Sequence, residues 1–179
     1  GIASQLKLRN PTKKELEETY QISMRVLFRL LFIAYAEEKD LLPHKSNKLY
    51  QENSLKTIAE NLLDLWNSKH EFGPEFSWWD KFQSILRAFK DGNTDWDIPA
   101  YSGGLFSIDQ SDSKILTTLE EIKLPDYYFG PILQNLLLVK NSEIGKSLVD
   151  FSKLDFEEFG TIYQGLLESE LSVAETDLL

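Results

Sequence analysis

The side chains that could do chemistry in this chain are its close-spaced acids and lysines, its two histidines and its paired glycines. Glu37-Glu38-Lys39 and Glu121-Ile122-Lys123 carry the letters of a carboxylate–lysine nuclease site, which needs an Asp and then Glu-x-Lys on adjoining strands. Both runs fall at predicted helix ends, and the Pro125-Asp126 pair follows both instead of preceding either, so they read as chance. His44 and His70 lie in separate predicted loops with no ligand-spaced partner, which argues against zinc and against a histidine general base. The run Asp91-Gly92-Asn93-Thr94-Asp95-Trp96-Asp97 places oxygens at the first, third, fifth and seventh positions of a calcium loop. Trp96 stands where that loop turns on glycine, and Ser102 where it needs a bidentate glutamate, so a solvated loop ending a helix is expected. Gly103-Gly104 lacks the following Lys-Ser or Lys-Thr of a phosphate loop, and has neither the preceding strand nor the third glycine of a dinucleotide fingerprint. The stretch Pro99-Ala100-Tyr101-Ser102-Gly103-Gly104-Leu105-Phe106 is read instead as a turn with positive φ, pinned on the core by Tyr101, Leu105 and Phe106. No catalytic, cofactor-binding or metal-binding residue is assigned.

These residues must be positioned by helices. Thr12 and Glu15 form a capping-box pair, which satisfies free backbone donors at a helix start. Leu16, Tyr20, Met24, Leu27, Leu31 and Ala34 then recur every three or four residues. Val26, Phe28, Leu30, Phe32, Ile33 and Tyr35 make the second half apolar nearly all round, as expected of a helix in the middle of a domain. Arg29 lies within that half and must reach an edge or find a carboxylate. Leu41-Leu42-Pro43 ends the helix, because proline disfavours helix in the residue before it. Residues 44–53 read as a polar loop. A helix over Ser54–Ser68 presents Leu55, Ile58, Ala59, Leu62, Leu63 and Trp66, and another, capped by Ser77 and Asp80, presents Trp78, Trp79, Phe82, Ile85, Leu86 and Phe89. Aromatics at helical spacing read as core before they read as a base-stacking platform. Further helices carry Ile115, Leu116, Leu119 and Ile122, then Ile132, Leu133, Leu136, Leu137 and Val139, with Pro131 expected in a first turn. Leu148-Val149-Asp150-Phe151 has an extended character. Asp155 and Glu158 frame a last helix, in which Gly160 suggests close packing of another backbone. The fold class is all-α: an irregular bundle of about six helices, with the Gly-Gly loop docked on the core. Residues 1–168 form one domain and 169–179 a tail.

Composition sets outer bounds. The chain has 179 residues, 42% of them hydrophobic, with four Trp, seven Tyr and eleven Phe. That suffices for one sizeable core. The absence of cysteine excludes disulfides and thiolate metal sites, and makes an intracellular, cytoplasmic origin the default. The densest apolar run, Val26 to Ala36, contains Arg29 and is too short to span a bilayer. A net charge of −10 argues against tight DNA binding by this piece alone, although Lys7, Arg9, Lys13 and Lys14 cluster near the start. The first residue is Gly, not Met, and the chain is expected to derive from a longer protein.

Three segments, in order, resemble the region ahead of the methyltransferase module in large type IIG-like restriction–modification enzymes and their phage-defence relatives. Arg29-Leu30-Leu31-Phe32-Ile33-Ala34-Tyr35-Ala36-Glu37-Glu38-Lys39-Asp40-Leu41-Leu42-Pro43 is similar to that family's long helix ending in "YAE" and "LLP". Ile98-Pro99-Ala100-Tyr101-Ser102-Gly103-Gly104-Leu105-Phe106 is similar to its "Y-x-G-G-L-F". Val149-Asp150-Phe151-Ser152, Leu154-Asp155 and Phe159-Gly160-Thr161-Ile162-Tyr163-Gln164-Gly165-Leu166-Leu167-Glu168 are similar to its "VDF…LD…LG-x-IYE-x-LLE", with Gln164-Gly165 departing from the usual acidic residue. The resemblance implies a modular parent, often with a metal-dependent nuclease ahead for which magnesium is the implied ion. An adenine-N6 DNA methyltransferase using S-adenosylmethionine would follow. Neither the Asn/Asp-Pro-Pro-Tyr/Phe tetrapeptide of such methyltransferases nor a glycine-rich methyl-donor motif is present here. The implied role is that of a helical connector, inactive by itself, whose partners are its own flanking domains, with DNA a partner of the parent. Two rivals remain open at this level. One is a free-standing acidic helical interaction module. The other is a small phosphate-binding enzyme built on Gly103-Gly104.

Overall fold

The longest element, α1 (Lys13–Glu38), starts as its sequence dictates. The Thr12 side chain accepts from the Glu15 amide, and the Glu15 carboxylate accepts from the Thr12 amide at 2.7 Å. In the computed structural model, which describes residues 12–101, 121–141, 145–155, 157, 160 and 161, this helix spans 26 residues, on the order of 40 Å. From Gln21 to Glu38 no residue of α1 is exposed, so its second half is at least partly buried on every face. Arg25 and Arg29 are buried with it, Arg29 at 7% exposure rather than at an edge. The first turns differ from expectation: Leu16 and Tyr20 are about half exposed. The helix stops before the proline acts. Asp40 adopts φ +55°, and the amides of Asp40 and Leu41 turn back to the carbonyls of Glu37 and Ala36. That is a left-handed C-terminal cap made without glycine.

Residues 44–53 are not simply a loop. Asn47 accepts from the Tyr50 amide and starts a short helix, α2 (Lys48–Asn53), which buries Tyr50 completely. A single residue separates it from α3 (Leu55–Asn67): Ser54 ends α2 and caps α3 by accepting from the Thr57 amide. Leu55, Ile58, Ala59 and Leu62 face inward as expected. Trp66 does not. It stays 45% exposed, and the Lys146 ammonium lies 3.7 Å from its ring centroid. Lys69, with φ +54°, closes α3 by the same glycine-free turn that ends α1.

The aromatic helix α4 (Ser77–Asp91) buries Trp78, Trp79, Phe82, Ile85, Leu86 and Phe89, the whole face read as core. Its start corrects the sequence reading. Ser77 is already helical, Phe76 precedes the helix, and no local side chain caps it. The helix α5 (Asp126–Leu137) packs on α4 through Phe129, whose ring lies 4.9 Å from Trp79 and 5.7 Å from Phe82. Pro131 is not in its first turn but inside the helix, immediately after Gly130. Gly130 is explained by contact: a β-carbon there would fall 2.5 Å from the ring of Phe72. Gln134 donates to the Leu62 carbonyl, which ties α5 to α3.

Val139, expected at the end of that helix, lies in a strand instead. β1 (Leu138–Asn141) pairs antiparallel with β2 (Gly145–Leu148), and Gly145 enters β2 at φ +88°. This hairpin is the only sheet among the described residues, which otherwise hold five α-helices and are mostly helical. The all-α expectation therefore holds in outline and misses the hairpin.

The chain divides into two compact units, residues 1–149 and 150–179. In the second, Asp150 accepts from the Ser152 amide and starts a 3-10 turn, Phe151–Lys153. Asp155 accepts from the Glu157 amide at 2.8 Å, and positions 157, 160 and 161 are helical, as the framing by Asp155 predicts. A β-carbon on Gly160 would meet nothing within 4 Å, so among the described residues no close backbone packing accounts for it. Gly103, Gly104, Leu105, Phe106, the helix of Ile115 to Leu119, and the tail 169–179 lie outside the described residues.

Candidate functional site

Of the acidic runs singled out by sequence, only the first builds a site, and the site is structural. Glu37 sits in the last turn of α1, 4% exposed, where α1, α2 and α3 meet. Its Oε1 accepts from the Tyr50 hydroxyl at 2.6 Å and from the Leu55 amide at 2.8 Å, and its Oε2 accepts from the Lys56 amide at 2.8 Å. Leu55 and Lys56 are the first two residues of α3, and a helix leaves its first amides without internal partners. Ser54 answers the third, that of Thr57. A carboxylate eighteen residues away in sequence thus completes the cap of α3, at the end of the helix where negative charge is favoured.

The electrostatics follow from this enclosure. Burial holds Glu37 above the usual carboxylate range, against the pull of Tyr50, the two amides and the Lys56 charge. Burial, and then the charge of Glu37, keep the Tyr50 phenol protonated far above its usual range, so it remains a donor. The Lys56 ammonium turns to Glu38 at 3.4 Å, which leaves Glu37 bonded only to neutral donors. Nearby His44 is lowered, first by its partial burial and then by Lys56. Three of the roughly four lone-pair positions of the Glu37 carboxylate are filled. Such a group fastens helices.

Asp126 plays the matching part elsewhere. It is buried, its amide donates to the Glu75 carbonyl at 2.7 Å, and its Oδ1 accepts from the Trp78 amide at 3.0 Å. This is the cap that α4 lacks locally. Sequence reasoning missed it, because the capping residue lies 48 positions away. Glu121 is helical and Lys123 exposed, with no strand beside them among the described residues.

The Asp91–Asp97 run forms a tight turn. Asn93 and Ile98 exchange backbone hydrogen bonds, and the Asn93 side chain accepts from the Trp96 amide. The Asp97 carboxylate accepts from Asn47 at 2.8 Å. Two of the supposed calcium ligands are therefore occupied within the protein. The turn is docked rather than merely solvated: Trp96 meets the Tyr50 ring edge-on at 6.0 Å, and Ile98 is 3% exposed. Gly92 takes φ +79°, and a β-carbon there would sit 3.0 Å from the Ala100 amide nitrogen.

The chain then reaches Tyr101, the anchor expected of the Gly-Gly stretch. Its amide donates to the Phe89 carbonyl, and its ring stacks on Phe89 at 5.1 Å. The contact is thus with α4, and Phe89 in turn meets Phe32 of α1 edge-on at 6.5 Å. His44 and His70 remain in separate loops, and the described residues contain no group of three or more His, Cys, Asp or Glu able to hold a metal ion. Comparison with protein-family models, with curated proteins and with solved structures finds no match for this chain.

Proposed function

We propose that this chain is the helical connector of a type IIG-like restriction–modification enzyme, holding a nuclease or other N-terminal region at a set distance from an adenine-N6 DNA methyltransferase. The observation that supports this most is the use made of Glu37. One carboxylate at the acidic end of the segment resembling "YAE…LLP" fastens three helices, which suits a rigid spacer. The second segment points the same way, since Ile98 is buried and Tyr101 packs on α4. On this reading the bundle has about six helices. Close packing makes such a bundle stiff. The parent binds S-adenosylmethionine, uses magnesium if it also cleaves, and works in the cytoplasm. It rotates its target adenine out of the duplex, as base-modifying enzymes must. The connector binds DNA weakly or not at all.

Two measurements test the reading. Calorimetric titration of this chain with S-adenosylmethionine gives no binding heat; saturable binding would overturn the assignment. The natural reading frame continued past Leu179 encodes a glycine-rich methyl-donor motif followed by Asn-Pro-Pro-Tyr or a close variant, and the longer protein methylates adenine in DNA. An immediate stop codon would instead favour the free-standing interaction module.

A further inference from the structure

We draw no further inference here: the strongest candidate, the exposed aromatic patch that Phe76 at the start of α4 makes with Tyr127, Tyr128 and Ile132 on α5, carries none because nothing in the structure shows what covers it.

Discussion

Glu37 ties three donors to one carboxylate. Its replacement by alanine leaves the Tyr50 hydroxyl and two helix amides buried and unanswered, each worth about 1–3 kcal/mol. Glu37→Ala is therefore expected to lower unfolding free energy by about 3 kcal/mol or more, read from urea denaturation. Glu38→Gln, which touches only the partly exposed Lys56 pair, shifts it by less than about 1 kcal/mol. The pH dependence has a definite sign. The folded-state pKa of Glu37 is raised, so its contribution is fully present below the unfolded value, near 4.3, and is lost as pH rises toward the folded value. The stability gap between the natural protein and Glu37→Gln, which cannot titrate, should accordingly narrow from acid to neutral pH. A gap that widens over that range would mean the three donors outweigh burial. None of this was legible in the sequence. Glu37-Glu38 read as the polar end of a helix, and Glu37 turns inward because α3 begins beneath it.

At the scale of elements, the sequence was most informative where apolar periodicity ran long. The existence of α1, α3 and α4 and the buried face of α4 follow from that spacing, though not every end does. It failed where an element is too short for a period to register. α2 has six residues, and the run from Leu136 to Val139 is apolar without interruption, so the passage from α5 to β1 carries no signal of its own. Helix ends were obscured for a different reason. α1 and α3 both stop on a left-handed residue, yet Asp40 and Lys69 occupy positions where glycine is usual. Because that conformation strains a side chain, Lys69→Gly is expected to raise unfolding free energy by about 0.5–1 kcal/mol, measured by denaturant titration. Gly130 offers the converse. A methyl group there meets the ring of Phe72, so Gly130→Ala should cost about 1–3 kcal/mol, and Phe72→Leu in the same chain should restore part of it.

For the whole molecule, charge is the most general constraint. Ten excess negative charges repel one another in the compact state, and the described ion pairs lie mostly at the surface, where each contributes little. Raising salt from about 10 mM to about 150 mM should therefore raise the thermal midpoint, since screening over about 8–10 Å relieves the repulsion more than it weakens the pairs. A falling midpoint would show that surface pairing dominates. Among the described residues no helix is long and apolar enough to cross a membrane.

The two borrowed caps also bear on the order of assembly. The amides of α3 wait for a carboxylate 18 residues back along the chain, whereas that of Trp78 waits for one 48 residues ahead. If closure entropy grows as the logarithm of loop length, the second loop is about 0.9 kcal/mol harder to close than the first. Helix α1 would then seat the α2–α3 pair before α5 arrives to complete α4, and a nascent chain lacking Asp126 would carry an aromatic helix whose start is still unfastened. Peptides of α3 or α4 cut from the chain would be poorer helices than their sequences suggest, because each lacks a group supplied from elsewhere.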